Sequence, residues 1–480
     1  MKLKSNTMKK RHIYILLTFL TLSACQSPDD FLDVEPTGYI IPSTLEDYDK
    51  MLQDYAIIRG TGSGVGNNTR FMDPDVYHNQ ASFNTISNST PSVNAYTWQH
   101  DLFDPAVSDN DYNGLYQYIH VMNYILEEVD DAKPGNFDAS KRNILKAEAM
   151  AQRAFEYFLT VNEYAHHYDS SSLDLPGVAM PLTVDLQAQL SRSSVGEVYQ
   201  QVLTDLNEAL RLLGNNYQAV NSYANFRPGK ASIYALLSEV YLYMGDFDQA
   251  LGYSNTALSL YDYLEDYNTV DFANPSNPWS GYNNGDNWYY GTLNKEILWN
   301  RYIAWGFNNP FQLYAPDLEA LYDKDNDRRW YLFATQTSSS GVDVSPNYIY
   351  MYASSERCNG LSVPRLMLTN AEAKVRTGDG AGAIDVLNTL LENRLVNFTP
   401  LTHTDNTTTL QLVKDERRKE LAGSALNLYD QKRYHVYGEV VPTYTRTNPI
   451  TGETFTLAPG DDGYVVKIAQ SVRDQNPNLN

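Results

Sequence analysis

The chain is poor in cysteine, in long apolar runs and in positive charge. Its 480 residues include 2 cysteines, too few for a zinc site whose ligands are all cysteines. The apolar run at residues 13–22 is far shorter than the roughly 20 residues that a membrane-spanning helix needs. With 36 Lys and Arg against 58 Asp and Glu, the net charge is -22, which argues against nucleic acid or an anionic membrane surface as a partner.

The first 25 residues have the layout of an export signal. A basic start precedes the apolar run, and the small residues Ser23 and Ala24 stand directly before Cys25. The sequence LSAC resembles the lipobox of bacterial lipoproteins. This resemblance implies a signal peptide at residues 1–24 and lipid attachment at Cys25. The alternative is an ordinary signal peptide followed by a chance cysteine, and the true start is Met1 or Met8.

Lipidation of Cys25 would leave Cys358 as the remaining thiol. An internal disulfide is then impossible, although the chain is expected to be exported. We expect Cys358 to be a buried, small apolar residue. More than one acyl chain on Cys25 would be needed for stable membrane anchoring.

Helical periodicity dominates two long parts of the chain. In residues 146–168, apolar residues recur at spacings of three and four, which predicts a helix with one apolar stripe. Residues 194–214 show the same period. Ser194 and Glu197 form the pattern of a capping box, and Gly214 suits a C-terminal cap.

Two further segments predict pairs of antiparallel helices. Residues 227–258 (RPGKASIYALLSEVYLYMGDFDQALGYSNTAL) place small residues where two helices would cross, and Gly245-Asp246 stands between the helices. This pattern resembles a tetratricopeptide repeat (TPR). Residues 367–394 repeat it, with Gly378-Asp379 in the place of Gly245-Asp246.

Two stretches, at about residues 59–111 and 262–361, lack this periodicity and are rich in Asn, Gly, Pro and Tyr. We therefore predict a mainly α fold, in which TPR-like helices lie mainly within residues 112–260 and 362–437. The two irregular regions interrupt this scaffold. Long irregular regions on a regular scaffold often carry function.

Taken together, these motifs resemble the SusD/RagB family of nutrient-binding outer-membrane lipoproteins. The resemblance begins with the lipobox and FLDVEPTG at residues 31–38. It continues through AEAMAQRAFEYF at 147–158 and FRPGKASIYALLSEVYLYMGDFDQAL at 226–251, which is its most specific motif. It extends to DQNPNLN at 474–480 and includes the late helix motif DERRKELAGSALNLYDQKRY at 415–434. The motif at 415–434 lacks aromatic residues that the family usually has there, so we expect this helix to form with different packing.

The resemblance implies one SusD-like domain at residues 25–480 and no enzymatic activity or cofactor. It further implies an oligosaccharide-binding lipoprotein on the outer membrane, facing the cell exterior. Such a protein delivers glycan to a SusC-like TonB-dependent transporter. A peptide-binding member of the family is the alternative. A surface glycosidase is a third hypothesis, for which the 58 acidic residues give no positive signal because they allow many carboxylate pairs.

Sugar binding needs flat aromatic faces together with planar hydrogen-bonding groups, and the irregular regions contain both. We predict Trp299 to be a core residue, because it follows the apolar residues Ile297 and Leu298. The candidate ligand contacts are Arg70, Asp73, Trp98, Trp279, Tyr282, Asn287, Trp288, Tyr289, Tyr290 and Trp305. Asn283 and Arg301 are further candidate polar partners.

No catalytic or metal motif stands out. Asp323, Asp325 and Asp327 have the spacing of a calcium loop, but Arg328 and Ala334 occupy the positions of its glycine and its bidentate glutamate. The glycine-rich stretch at residues 60–66 lacks the Lys-Ser/Thr ending of a phosphate-binding loop. We therefore predict neither a metal nor a phosphate site.

Overall fold

Helices account for most of the regular structure. The computed structural model describes residues 41–53, 66–185, 187–221, 225–283, 294–301, 312–351 and 360–480. The helices are α1 (Leu45–Gln53), α2 (Thr69–Met72), α3 (Gln80–Phe83), α4 (Thr90–Tyr96), α5 (Asn110–Glu128), α6 (Lys141–Tyr164), α7 (Val195–Leu213), α8 (Lys230–Met244), α9 (Phe247–Leu260), α10 (Pro316–Glu319), α11 (Arg328–Phe333), α12 (Val363–Arg376), α13 (Gly380–Glu392), α14 (Asn406–Glu420), α15 (Leu426–Val436) and α16 (Gln470–Arg473).

The strands are short. They are β1 (Val76–Tyr77), β2 (Pro176–Ala179), β3 (Arg192–Ser194), β4 (Ile297–Trp299), β5 (Leu313–Tyr314), β6 (Ala334–Thr335), β7 (Ile349–Tyr350), β8 (Leu361–Ser362), β9 (Tyr444–Thr447) and β10 (Thr454–Leu457). Residues 44–480 form one compact unit. The prediction of a mainly α fold is confirmed. None of the described helices combines the length and the apolar character that crossing a membrane requires.

Helix α6 is the centre of the scaffold and packs against both α5 and α7. Most of its residues are buried on all sides, and small ones such as Ala147, Ala151 and Ala154 let its neighbours approach closely. The next helix, α7, begins with the predicted capping box. The Ser194 hydroxyl accepts from the amide of Glu197, whose carboxylate accepts from the Ser194 amide. Gly214, with φ 67°, ends α7 as predicted.

The two predicted helical pairs are present and lie side by side. Gly245 (φ 77°) separates α8 from α9, and Gly378 (φ 98°) stands between α12 and α13. After each glycine an aspartate caps the second helix. Asp246 accepts from the Gln249 amide and Asp379 from the Gly382 amide. Because α9 packs on α12, the pairs are neighbours in space although the second irregular region separates them in sequence.

The two irregular regions meet in one antiparallel sheet with the strand order β1-β5-β7-β6. Val76 of β1 pairs with Tyr314 of β5, Leu313 of β5 with Ile349 of β7, and Ala334 of β6 with Tyr350 of β7. The rings of Tyr314 and Tyr350 stack with centroids 3.8 Å apart. This sheet joins segments that the sequence keeps far apart.

The late helix α15 forms as expected, and charged groups pack it against α12. It begins after Ala425, whose φ is 63°. Arg433 is 0% exposed and donates from Nη2 to Glu372 of α12 at 2.6 Å. It also donates from Nε to Asp430 at 2.8 Å. Burial alone would raise the pKa of Glu372, but the nearby arginines Arg433 and Arg376 hold it well below its usual range.

Candidate functional site

Several predicted site residues lie outside the described residues. They are Cys25, Asn287, Trp288, Tyr289, Tyr290 and Trp305; Cys358, predicted to be a buried apolar residue, also lies outside the described residues. Their assigned roles therefore remain predictions. In the second irregular region, the described residues that flank the undescribed stretches show the arrangement of the remaining candidates.

Trp279 is the described candidate that combines partial exposure with a fixed orientation. It lies in a short 3₁₀ helix, Pro278–Ser280, and is half-buried. Its indole Nε1 donates to the carbonyl of Thr337 at 2.9 Å. One edge of the ring is thus held by backbone while part of its surface remains open, which is the arrangement that a stacking platform needs.

Tyr282 lies close to Trp279 in sequence but belongs to the core. It is 3% exposed, and its ring stacks on Phe272 with centroids 5.6 Å apart. Its hydroxyl donates to the carbonyl of Leu332 at 3.1 Å. This burial favours a supporting role for Tyr282 beneath the surface that carries Trp279.

Tyr331 is an exposed aromatic residue in this area that the sequence did not single out. It lies on α11, is 37% exposed, and its ring centroid is 5.1 Å from that of Phe272. Its hydroxyl donates to Asp271, and the Arg328 guanidinium lies 4.2 Å from its ring centroid. The exposed Asn283 accepts from the Asp271 amide at 3.0 Å. The sequence around Tyr331 does not indicate this setting, because the residues that contact Tyr331, Phe272 and Asp271, come from a distant segment.

The described ends of three other stretches come together at β4. The Asn300 amide donates to the carbonyl of Asn225 at 2.8 Å, just after residues 222–224. Gly360, which follows residues 352–359, lies so close to β4 that an added Cβ would stand 1.8 Å from the Trp299 carbonyl oxygen. Residues 302–311 begin directly after Arg301. The described residues Asn225, Arg301 and Gly360 therefore lie close together at β4.

Trp299 lies in the core, as predicted. It is 0% exposed, and its indole donates to the carbonyl of Phe226 at 3.2 Å. The neighbouring Arg301 was a candidate polar partner for ligand, but its guanidinium points into the protein. It donates to Gln152 and lies 3.4 Å from the carboxylate of Glu156.

Glu156 is fully buried beneath β4. Its burial raises its pKa to about 6, and the nearby positive charge of Arg301 limits the rise. This pair of side chains, Glu156 and Arg301, lies buried beside β4 and next to Asn300.

The candidates of the first irregular region, Arg70, Asp73 and Trp98, are all buried. Trp98 is 6% exposed, its indole donates to the Met72 carbonyl at 2.7 Å, and the Arg446 guanidinium lies 4.2 Å from its ring centroid. Arg446 also donates to the carbonyls of Phe71 and Tyr96 at 2.7 and 2.8 Å.

Asp73 and Arg70 are buried as well, at 3% and 8% exposed. Burial, together with the charge of Asp75, raises the pKa of Asp73 to about 8. The Arg70 guanidinium lies 4.7 Å from the centroid of the Phe71 ring. This geometry favours structural roles for all three residues.

The loop with the spacing of a calcium site, at Asp323, Asp325 and Asp327, pairs with an arginine of the same chain instead. Asp327 accepts the Arg329 amide at 3.0 Å and pairs with the Arg329 guanidinium at 2.7 Å. Arg329 also pairs with Glu416 and Glu420 of α14 at 2.9 and 3.0 Å. The negative charge of the Asp327 carboxylate is thus already balanced by the Arg329 guanidinium. Within the described residues, no group of three His, Cys, Asp or Glu side chains is arranged to hold a metal ion.

Two family models match the chain one after the other. The first, described as starch-binding and associating with the outer membrane, matches residues 30–242. The second, described as the SusD family, matches residues 248–480. Among curated proteins, none matches the chain.

Two solved structures of similar fold come from Bacteroides species. A SusD-like carbohydrate-binding protein from Bacteroides vulgatus is 21% identical, with 91% of this chain and 97% of that chain covered and a TM-score of 0.67. A SusD superfamily protein from Bacteroides thetaiotaomicron is 19% identical, with 91% and 99% covered and the same TM-score of 0.67. At these identities the similarity establishes the fold.

Proposed function

The chain belongs to the SusD/RagB family, and from this premise we propose that it is an oligosaccharide-binding lipoprotein of the cell surface. It captures glycan outside the cell and passes it to a SusC-like TonB-dependent transporter in the outer membrane. The first family model, described as starch-binding and associating with the outer membrane, supports both the ligand class and the location. Members of this family are binding proteins, and the role proposed for this chain is binding without catalysis.

The observation that carries the proposal for the ligand is the setting of Trp279. Its ring is half-buried, oriented by the Thr337 carbonyl, and next in sequence to the stretch that holds Asn287, Trp288, Tyr289 and Tyr290. Flat aromatic faces beside amide side chains suit the C–H faces and hydroxyl groups of pyranose rings. We place the main ligand site on this part of the second irregular region, with Trp305 as a further candidate, and not at the buried Trp98.

A binding screen tests the proposal. The full chain, purified in a detergent without a sugar headgroup, is screened against immobilised oligosaccharides and, in parallel, against peptides. We expect binding to at least one class of oligosaccharide. Binding to peptides alone would replace the proposal with the peptide-binding alternative, and release of shortened sugar products would favour the glycosidase hypothesis.

The proposed anchor has its own test. Cys25→Ser removes the thiol that lipid attachment requires, so the variant should leave the membrane fraction while it keeps its glycan binding. Co-purification of the SusC-like transporter with the wild-type chain tests the partner. A membrane-bound Cys25→Ser variant would contradict the proposed anchor.

A further inference from the structure

Two short segments form the surface around Trp279, and their charges bear on the kind of glycan that fits there. We call residues 271–283 and 334–348 together the Trp279 surface. Each segment contains an antiparallel β-bridge. The Trp279 indole in the first segment donates to the Thr337 carbonyl of the second at 2.9 Å, so the segments meet at this ring. Each segment contains one acidic residue, and neither contains Lys or Arg.

Asp343 is the acid of the second segment, and it lies next to the residue that orients the ring. It stands opposite Thr337 in the β-bridge, and the Thr337 carbonyl accepts from the Trp279 indole. The Ser345 hydroxyl and amide donate to the Asp343 carboxylate at 2.6 and 2.8 Å. Because these bonds favour the charged form, they hold the pKa of Asp343 below its usual range. Asp343 is exposed, so the surface presents a negative charge at neutral pH.

Asp271 is the acid of the first segment, and it is ionised as well. Its amide donates to the side chain of Asn283 at 3.0 Å, at the base of the segment. The Tyr331 hydroxyl donates to its carboxylate and holds the pKa of Asp271 below its usual range. The Trp279 surface therefore carries one carboxylate in each of its two segments.

Arg328 of α11 brings a positive charge to this area, but its guanidinium is already committed. It donates to the carbonyls of Val270 and Tyr267, the latter at 3.2 Å. It also lies 4.2 Å from the centroid of the Tyr331 ring. After the hydrogen bond from Tyr331, its charge is a further cause of the lowered pKa of Asp271, so these two charges offset each other. Pairing with an acidic sugar would require Arg328 to give up these contacts.

The other described cations of the second irregular region have partners too. Lys324 pairs with Glu319 at 2.5 Å, Arg329 with Asp327 at 2.7 Å and Arg301 with Glu156 at 3.4 Å, and Lys295 lies 5.5 Å from the centroid of the Tyr263 ring. Of the undescribed stretches, residues 284–293 contain Asp286 but no Lys or Arg, residues 302–311 contain no charged residue, and residues 352–359 contain one charge of each sign. An acidic glycan at the Trp279 surface would therefore meet carboxylates, while the described cations are already engaged.

We propose that the Trp279 surface takes uncharged oligosaccharides and rejects those that contain uronic acids. This inference rests on the proposed function and adds the charge class of the ligand. A uronate bound here would lose water around its carboxylate and face Asp343 without a cation to pair with it, which weakens binding. A neutral pyranose can lie on the Trp279 ring without this cost. Unfavourable charges that act against the wrong ligand are a general source of specificity.

Matched pairs of sugars test this selection. Maltotetraose, cellotetraose, mannotetraose and galactotetraose are each compared, by titration into the full chain, with the form whose primary hydroxyl groups are oxidised to uronic acids. At low salt, each neutral tetrasaccharide that binds should do so at least about tenfold more tightly than its oxidised partner. The difference should shrink as sodium chloride is added, because salt screens interactions between exposed charges.

Charge variants assign the selection to the Trp279 surface. Asp343→Lys should strengthen binding of the oxidised tetrasaccharide by about fivefold relative to its neutral partner, and Asp343→Asn should have a smaller effect in the same direction. Asp385→Lys makes the same change of charge at an exposed residue of α13 in the scaffold. It is the matched control and should leave the difference between the two sugars unchanged.

The outcomes separate this inference from the proposed function. A wild type that binds the oxidised sugars as tightly as the neutral ones, or binds only the oxidised ones, would overturn the inference and leave glycan binding in place. A difference that persists at high salt and in Asp343→Lys would mean selection by shape, which would overturn it too. Binding of neither series would remove the proposed function together with the inference.

Discussion

The helical scaffold and the irregular regions of this chain are held together by different means. In the scaffold, each helix is specified by its own residues and then packs on a neighbour, as α8 and α9 do. In the irregular regions, strands of two residues pair with partners far away in sequence, as Val76 does with Tyr314. The scaffold therefore owes its form to local sequence, whereas the irregular regions owe theirs to distant contacts.

The largest effect should come from breaking a buried ion pair of the scaffold. Arg433→Met leaves the fully buried Glu372 with one of its arginine partners missing. Removing one member of such a pair typically costs about 3–5 kcal/mol. We expect a loss of this size in the free energy of unfolding, measured by chemical denaturation. Arg211→Met, which breaks an exposed pair with Glu208 on α7, is the control and should have little effect. Equal stability of both variants would contradict the buried network.

A core substitution in the small sheet should act more locally. Tyr350→Ala removes a buried ring that stacks on Tyr314 and a hydroxyl that donates to the Asp75 carbonyl at 2.7 Å. A loss of about 3 kcal/mol is expected for a buried aromatic residue. Hydrogen exchange should speed up in β1, β5 and β6 and stay slow in α8 and α9. Tyr350→Phe, which keeps the ring, should lose only about 1 kcal/mol. Faster exchange throughout the helices would show that the two parts are not separable.

The two parts should also respond differently to pH. Burial and the charge of Asp109 raise the pKa of Asp111 to about 7, and Asp73 is raised to about 8. A carboxyl group with a raised pKa in the folded state stabilises the fold below its unfolded pKa of about 3.9. This stabilisation is lost as the pH rises through the folded pKa. We therefore expect residues 66–77 to open more readily as the pH increases from about 4 to about 8.

Hydrogen exchange across this pH range measures the opening, after correction for the intrinsic pH dependence of exchange. Asp111→Asn replaces the protonated carboxyl with a neutral amide, so it should reduce the pH dependence around residues 66–77. The buried Glu372 has the opposite behaviour, since its lowered pKa means that its contribution is lost only as the pH falls. A segment 66–77 that becomes more protected at higher pH would refute the assigned sign.

The smallest effect concerns a helix cap. Ser194→Ala removes the hydroxyl that accepts from the Glu197 amide at the start of α7. The loss of such a cap typically costs about 1 kcal/mol. Thermal or chemical unfolding should show this small change, and Ser194→Thr should retain most of the stability. A fully stable Ser194→Ala variant would mean that tertiary packing alone holds the start of α7.

These local signals explain why the scaffold could be predicted from sequence. The capping box at Ser194 and the glycine turns at Gly245 and Gly378 depend on neighbours within a few residues. Trp299 was predicted to be buried for a similar reason, because Ile297 and Leu298 precede it. Each of these features is readable without knowledge of the rest of the fold.

The candidate site was harder to predict, because its surroundings are built from distant residues. Nothing near Trp98 in sequence indicates that Arg446 covers its ring, and nothing near Tyr282 indicates its stack on Phe272. Tyr331 was missed because its setting depends on Asp271 and Phe272, which come from another segment. Composition predicted an aromatic and amide-rich region, but exposure depends on which chain segment packs over each ring.

A titration of oligosaccharide into the full chain and into Trp279→Ala tests the central claim most directly. The claim is that the second irregular region binds glycan through aromatic faces that contacts within that region hold in place. Stacking of nucleobases on aromatic residues contributes about 1–3 kcal/mol in a comparable setting. We therefore predict saturable binding by the wild type and at least about tenfold weaker binding by Trp279→Ala. Tyr263→Ala, at an exposed tyrosine in another part of the region, should bind as the wild type does. Wild-type affinity in Trp279→Ala, or no binding of any oligosaccharide to the wild-type chain, would contradict the account.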